Sequence, residues 1–241
     1  MHRSAPRLTR ILACAAVPVM LVVAGCSSDS DGGSGASPDK GKGSASSAPQ
    51  TAPSKKTVEP AKFAKLPDAC KAVSAKTTAT LVPKAKAKNG TSATSSDTSS
   101  RGGCSWNGLE DKGTKGSQYR WLDVSFYRYD SDVALGSGQE RAKQNLAKEL
   151  AKLEATEGAK KLRTTETSGI GEEGRAVAYD LRKTDEDFKY ASVVARTGNV
   201  LVLLTYNGAG YAGAAAPSDK AVMDGAVKAA KEAVAAVAAA N

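Results

Sequence analysis

The sequence predicts an α+β domain: an antiparallel sheet with two longer helices on one face, a short N-terminal helix and one disulfide. Three observations predict it. Residues 119–129 alternate with a period of two, placing Leu122, Val124 and Phe126 on one face and Tyr119, Trp121, Tyr127 and Tyr129 on the other. Two stretches recur at helical spacing instead: Ala142, Leu146, Leu150 and Leu153, then Val222, Ala226, Ala229, Ala233 and Val237. The elements run helix, strands, helix, strands, helix. That order segregates strands from helices rather than alternating them one by one.

The domain is preceded by a leader. Arg3, Arg7 and Arg10 flank an apolar run over residues 11–24, which is too short to span a bilayer as a helix. The run ends in Val23-Ala24-Gly25-Cys26, the form of a bacterial lipobox. Small side chains at Ala24 and Gly25 let a peptidase reach the backbone, and the Cys26 thiol carries the diacylglyceryl group. Residues 1–25 are therefore expected to be a lipoprotein signal peptide, with Cys26 as the lipid-attachment residue. An ordinary signal peptide followed by a chance cysteine is the alternative. The expected location is the outer face of the cytoplasmic membrane, lipid-anchored and extracytoplasmic.

Residues 26–59 are rich in Ser, Gly, Ala and Pro and hold no aromatic residue. Such a segment cannot bury enough apolar surface to offset the entropy of ordering, so it reads as a disordered tether. A flexible chain of that length reaches roughly 30 Å. Residues 60–241 remain, which suits one globular domain.

Each element of that domain has a local reason. Asp68 ahead of Ala69-Cys70-Lys71-Ala72-Val73 predicts a short capped helix that ends before Pro83. Residues 84–103 include Asn89-Gly90 and a Ser/Thr run without periodicity, and read as an exposed loop; O-linked sugar on residues 91–100 is the alternative to a plain loop. Strands begin at Cys104-Ser105-Trp106-Asn107 and continue through residues 119–129. Ser137-Gly138-Gln139-Glu140 has capping-box form and opens the first long helix. Strands over residues 175–182 and 188–196 follow, with Asp185-Glu186-Asp187 between them. Thr197-Gly198-Asn199 is a tight turn into a nearly continuous apolar strand, giving a hairpin covered on both faces. Ser218-Asp219 then caps the final helix, which runs to about Ala239.

Four cysteines reduce to two once Cys14 lies in the leader and Cys26 is acylated. Cys70 and Cys104 are left in an oxidising compartment, where they are expected to pair. The closed loop of about 35 residues stabilises by ~3–4 kcal/mol in the chain-entropy picture.

Pro67-Asp68-Ala69-Cys70, Cys104-Ser105-Trp106 and Gly169-Ile170-Gly171-Glu172-Glu173, in that order, resemble the DUF3558 family of actinobacterial lipoproteins, within the wider group of LpqN-like envelope lipoproteins. The likeness covers residues 60–239. It implies an envelope lipoprotein with paired cysteines, which map to Cys70 and Cys104, and a small α+β fold. It transfers no catalytic residue.

The single histidine is His2, in the leader. The processed chain therefore has no imidazole for Ser-His-Asp or Cys-His nucleophilic chemistry or for a histidine-based zinc site. The run Gly169-Ile170-Gly171-Glu172-Glu173-Gly174 fits a dinucleotide fingerprint only as a pattern. A polar stretch precedes it, an alternating strand follows it, and two glutamates would repel a pyrophosphate, so it reads as a turn. Glu110-Asp111, Glu172-Glu173 and Asp185-Glu186-Asp187 read as solvated turns rather than an acid and base pair. Asp130-Ser131-Asp132 lacks the remaining oxygen ligands of a calcium loop.

The net charge of +9 includes the leader arginines and suits residence near anionic lipids and wall polymers; nucleic acid would also want basic residues concentrated beside aromatic ones, and the extracytoplasmic compartment argues against it. The expected function is that of a monomeric, non-catalytic binding or interaction module at the cell envelope, needing no cofactor or metal. Its partner would be a lipid, a wall glycan or an envelope protein. The alternative is an envelope hydrolase that uses carboxylates. The candidate ligand-binding residues are Tyr119, Trp121, Tyr127 and Tyr129, whose rings offer flat apolar surface with polar tips; a place in the core is the competing reading.

Overall fold

The computed structural model describes residues 57–241. The signal peptide, Cys26 and all but the last three residues of the tether lie outside the described residues. Ala52–Asn241 forms one compact unit. A chain begun at Ala52 therefore keeps every described strand, helix and the disulfide.

The described elements are α1 (Ala75–Leu81), β1 (Thr91–Ser92), β2 (Arg101–Glu110), β3 (Ser117–Arg128), α2 (Gly138–Glu154), β4 (Lys160–Glu166), β5 (Glu173–Lys183), β6 (Glu186–Thr197), β7 (Val200–Tyr211) and α3 (Asp219–Ala239). All seven strands form one antiparallel sheet in the order β1-β2-β3-β7-β6-β5-β4. β7 therefore sits at the centre. It pairs with β6 through a tight turn at Gly198-Asn199 and with β3 across a long connection.

The expected fold class holds: an antiparallel sheet, a short N-terminal helix, two longer helices and the Cys70–Cys104 disulfide, with 5.1 Å between the two Cα atoms. The placement of both longer helices on one face is corrected. α3 packs through Val222, Ala226, Ala229, Ala233 and Val237 onto the face formed by Leu122, Val124, Phe126, Val193, Val202 and Leu204. α2 packs through Leu146 onto Val194 and Leu201. Those two strand residues are immediate neighbours of Val193 and Val202 and therefore point the opposite way. The physical reason is that β6 and β7 are apolar at consecutive positions, so their second face also needs cover.

α3 lies close to the sheet because the middle of its buried stripe, from Gly225 to Ala233, is glycine and alanine. A Cβ on Gly225 would come within 2.7 Å of Leu81 Cδ2 and 2.9 Å of Tyr206 Cε1. Ser218 Oγ accepts from the Ala221 N–H, and Asp219 stands in the first turn, where the helix dipole favours a negative charge. α2 starts as the capping box implies, with Ser137 Oγ accepting from the Glu140 N–H.

α1 begins later than the sequence predicts. Asp68 does not cap a helix; its Oδ1 accepts from the Cys70 N–H in a local turn, and the helix opens at Ser74, whose Oγ accepts from the Thr77 N–H. Two strands fall where no hydrophobic period marks them. Thr91–Ser92 pairs with Ser105 and Cys104, although the rest of residues 84–103 is mostly exposed loop. Lys160–Glu166 is an edge strand that is polar on both faces. Thr184 and Asp185 both take positive φ, giving the two-residue primed turn that joins β5 to β6.

Candidate functional site

The strand register assembles the helix-α2 face of the sheet into cross-strand rows. One row reads Leu109, Tyr119, Ala209, Phe188, Leu181, and the next Asn107, Trp121, Asn207, Tyr190, Tyr179. A polar row follows: Ser105, Asp123, Thr205, Ser192, Val177. Beyond it lie Leu203 and Val194, where α2 takes over. One end of this face is thus covered by a helix, and the other carries rings.

The four aromatic residues singled out in β3 and just after it do share a face, as the alternation predicts. They do not share an environment. Tyr127 and Tyr129 pack against the small cluster of Leu146, Val194 and Leu201 beneath α2. Tyr119 and Trp121 lie past the reach of α2 and are half-buried. Tyr127 and Tyr129 thus join the packing under α2, whereas Tyr119 and Trp121 stay partly open.

The ring-bearing end includes residues that the reading of β3 alone missed. Tyr119 meets Phe188 edge-on with ring centroids 5.9 Å apart, across the small side chain of Ala209. Phe188 in turn stands 6.4 Å from Tyr211 and 6.2 Å from Tyr190, and Tyr190 stacks on Tyr179 at 4.9 Å. Edge and offset contacts of this kind match the ring quadrupoles and hold the cluster together. The hairpin turn at Gly198-Asn199 was the available signal, since its register sets Phe188 opposite Ala209 and Tyr190 opposite Asn207.

Lys86, Asn107, Gly108, Leu109, Ser117, Tyr119 and Tyr211 line a hollow of about 370 Å³ at this end. Leu109 is 44% exposed there, unusual for a leucine on a strand. Burial pushes the Tyr119 phenol above its ordinary value, with Tyr211 and Tyr190 adding to the effect. Tyr211 is raised as well, by burial and then by Glu186 and Tyr190. Both hydroxyls therefore stay protonated at neutral pH and can donate. In the adjoining polar row, burial raises the Asp123 carboxyl, partly offset by the Ser125 hydroxyl 3.3 Å away. Ser192 and Thr205 hydroxyls bond to each other at 2.9 Å.

The acidic sets are engaged locally. Glu110 pairs with Lys112, and Asp111 accepts from the Gly113 N–H and the Ser117 hydroxyl. Asp187 pairs with Arg182. Glu172 accepts from Lys62, Arg196 and the Gly198 N–H; partial burial raises its carboxyl, and these three bonds outweigh that and leave it lowered. The glycine-rich run is a turn, as expected. Gly169 and Gly171 both have positive φ, and Ile170 between them is buried in the core. Asp130 pairs with Arg128, and Asp132 accepts from the Ala134 and Leu135 N–H groups of its own turn. No group of three potential metal ligands occurs among the described residues, and no described helix is long and apolar enough to cross a membrane.

The sequence profile described as "Protein of unknown function (DUF3558)" matches residues 21–202. The chain belongs to the DUF3558 family. No curated protein matches this DUF3558 chain. Among solved structures it is similar to LpqN, described as involved in cell envelope biogenesis of Mycobacterium tuberculosis. The two are 16% identical over 52% of this chain and 65% of LpqN, with a TM-score of 0.31. So distant a likeness carries no argument about the arrangement described above.

Proposed function

We propose that this DUF3558 protein is a non-catalytic binding module, held at the outer face of the cytoplasmic membrane by acyl chains on Cys26, whose ring-bearing sheet end takes a hydroxylated wall glycan. The observation that carries the ligand class is the make-up of one hollow. Flat rings from Tyr119 and Tyr211 stand beside Leu109, and Asn107 and Lys86 supply hydrogen-bonding groups in the same hollow. A sugar has both requirements, an apolar ring face to stack and hydroxyls to satisfy. An acyl chain would leave those polar groups unpartnered once they were buried. The anchor is supported by the Val23-Ala24-Gly25-Cys26 motif, which falls inside the stretch matched to the family.

Two measurements test the two halves separately. Cys26→Ala should abolish metabolic labelling with palmitate and release the protein from the membrane fraction; persistent labelling would remove the anchor. For the ligand, a chain begun at Ala52 is titrated with soluble wall-derived oligosaccharides. Tyr119→Ala and Trp121→Ala should each weaken binding several-fold. Equal affinity in wild type and both variants would discard the surface, and binding of fatty acid in place of oligosaccharide would overturn the glycan.

A further inference from the structure

At the opposite end of β3 a second hollow, of about 380 Å³, is lined by Ser95, Ser96, Ser100, Arg101, Arg128 and Arg141 together with Asp97, Tyr127 and Tyr129. Its three guanidiniums are not equivalent. Arg128 is nearly buried and pairs with Asp130. Arg101 lies over the Tyr127 ring at 6.0 Å, and Arg141 over the Tyr129 ring at 5.8 Å. Arg141 also donates to the Asp130 carbonyl at 2.6 Å. Among the described residues, neither Arg101 nor Arg141 pairs with a carboxylate. The remaining acid, Asp97, is taken up by the Ser99 and Ser100 hydroxyls and the Ser100 N–H. Two guanidiniums without an ion-pair partner among the described residues thus share the hollow with one carboxylate that is already satisfied, and each lies over a ring.

Two more features follow along the chain from Tyr129, which lines this hollow. The turn between Asp132 and Gly136 springs from the Asp130 that Arg128 and Arg141 hold, and it exposes Val133 by 66% and Leu135 by 62%. The chain arriving from the N-terminal side docks against the same turn. Ser131 donates to the Glu59 carbonyl at 2.6 Å, and Gln139 Nε2 donates to the Pro60 carbonyl at 3.0 Å.

We propose that this end of the domain docks on an anionic phospholipid surface, with a headgroup phosphate between Arg101 and Arg141 and Val133 and Leu135 dipping into the interface. Guanidiniums suit phosphate because their planar N–H forks match its oxygens. The serine hydroxyls can donate to the oxygens left over. Exposed aliphatic side chains on a loop tip gain from the acyl boundary what water denies them. The bearing of the Glu59 contact on this surface rests on the proposed tether, since a chain anchored upstream would arrive at this turn.

The experiment removes the tether, so that its failure is separable from failure of the Cys26 reading. A chain begun at Ala52 is sedimented with vesicles of phosphatidylglycerol and phosphatidylcholine, and in parallel titrated with soluble glycerol phosphate. Binding should rise with phosphatidylglycerol content and fall about tenfold or more in R101Q/R141Q. It should be little changed in K228Q/K231Q, which removes the same charge from α3 on the other face. R101Q alone guards against misfolding, because among the described residues that guanidinium stacks on a ring and makes no ion pair. V133S/L135S should weaken vesicle binding and leave glycerol phosphate unaffected. Saturable glycerol phosphate binding without vesicle binding would overturn the lipid and point to a soluble phosphodiester. Vesicle binding that survives R101Q/R141Q, or an absence of both interactions, would overturn the site.

Discussion

Asn199 holds both backbone groups of Phe63. Its Oδ1 accepts from the Phe63 N–H at 2.7 Å, and its Nδ2 donates to the Phe63 carbonyl at 2.9 Å. The side-chain amide thus does for Phe63 what a neighbouring strand would do. A further bond runs from Nδ2 to the Tyr129 carbonyl at 2.9 Å, so one fully buried residue joins the β6–β7 turn, the incoming chain and the end of β3. Asn199→Ala leaves three backbone groups without partners in a dry site and should lower the unfolding free energy by about 2–4 kcal/mol in urea titrations. Asn199→Asp, which keeps the size but loses both donors, should fare no better. A wild-type midpoint in either variant would show the clasp to be dispensable.

The disulfide joins the turn before α1 to the middle of β2 across 34 residues of chain. Replacing Cys70 and Cys104 with serine should lower stability by about 3–4 kcal/mol, through a larger unfolded ensemble rather than through lost packing. Denaturant unfolding with and without reductant measures it. If the oxidised protein and the double variant unfold together, the constraint on the unfolded chain is not what matters here.

Gly171 is required by its backbone. Its φ is +67°, and a Cβ there would collide with the Arg196 carbonyl oxygen. Gly171→Ala should therefore cost more than about 1 kcal/mol, while Gly169→Ala, where φ is also positive but space is free, should cost less. Thermal melts of the pair decide between steric contact and φ alone: equal losses would mean that the contact contributes nothing.

Asp123 makes stability depend on pH. Burial raises its carboxyl in the folded state, so folding opposes ionisation. Its contribution is fully present below the unfolded carboxylate range and is lost as pH rises through the raised folded value. Asp123→Asn should consequently raise the Tm at pH 7 and give no gain at pH 3. A gain of the same size at both values would assign the effect to something other than the charge.

How much of this was legible depended on whether a segment carried its instructions locally. β3, α2, α3 and the turn at Gly198-Asn199 each combine a strict hydrophobic period with a cap or turn residue, and they stand where the pattern put them. β4 has no apolar alternation because both its faces meet water; only its pairing with β5 makes it a strand. The sidedness of α2 was hidden for a related reason. A continuous apolar run such as that of β7 says that both faces are covered, and says nothing about which helix covers which. The candidate site was half readable. Tyr119 and Trp121 were visible within one strand, whereas Phe188, Tyr190 and Tyr211 join them only through the register of β3, β7 and β6. Arg101 and Arg141 are far apart in sequence, and neither has a local pattern to mark it.

The two borders of the sheet have a consequence for crowding. At one end β1 is two residues long, too little to template another chain. At the other, β4 presents Lys160, Lys161 and Arg163 along its outer line. A second copy trying to extend the ladder there would have to strip water from these charges, two of which already pair with Asp180 and Asp219. Such borders let neighbouring molecules jostle without zipping into fibres.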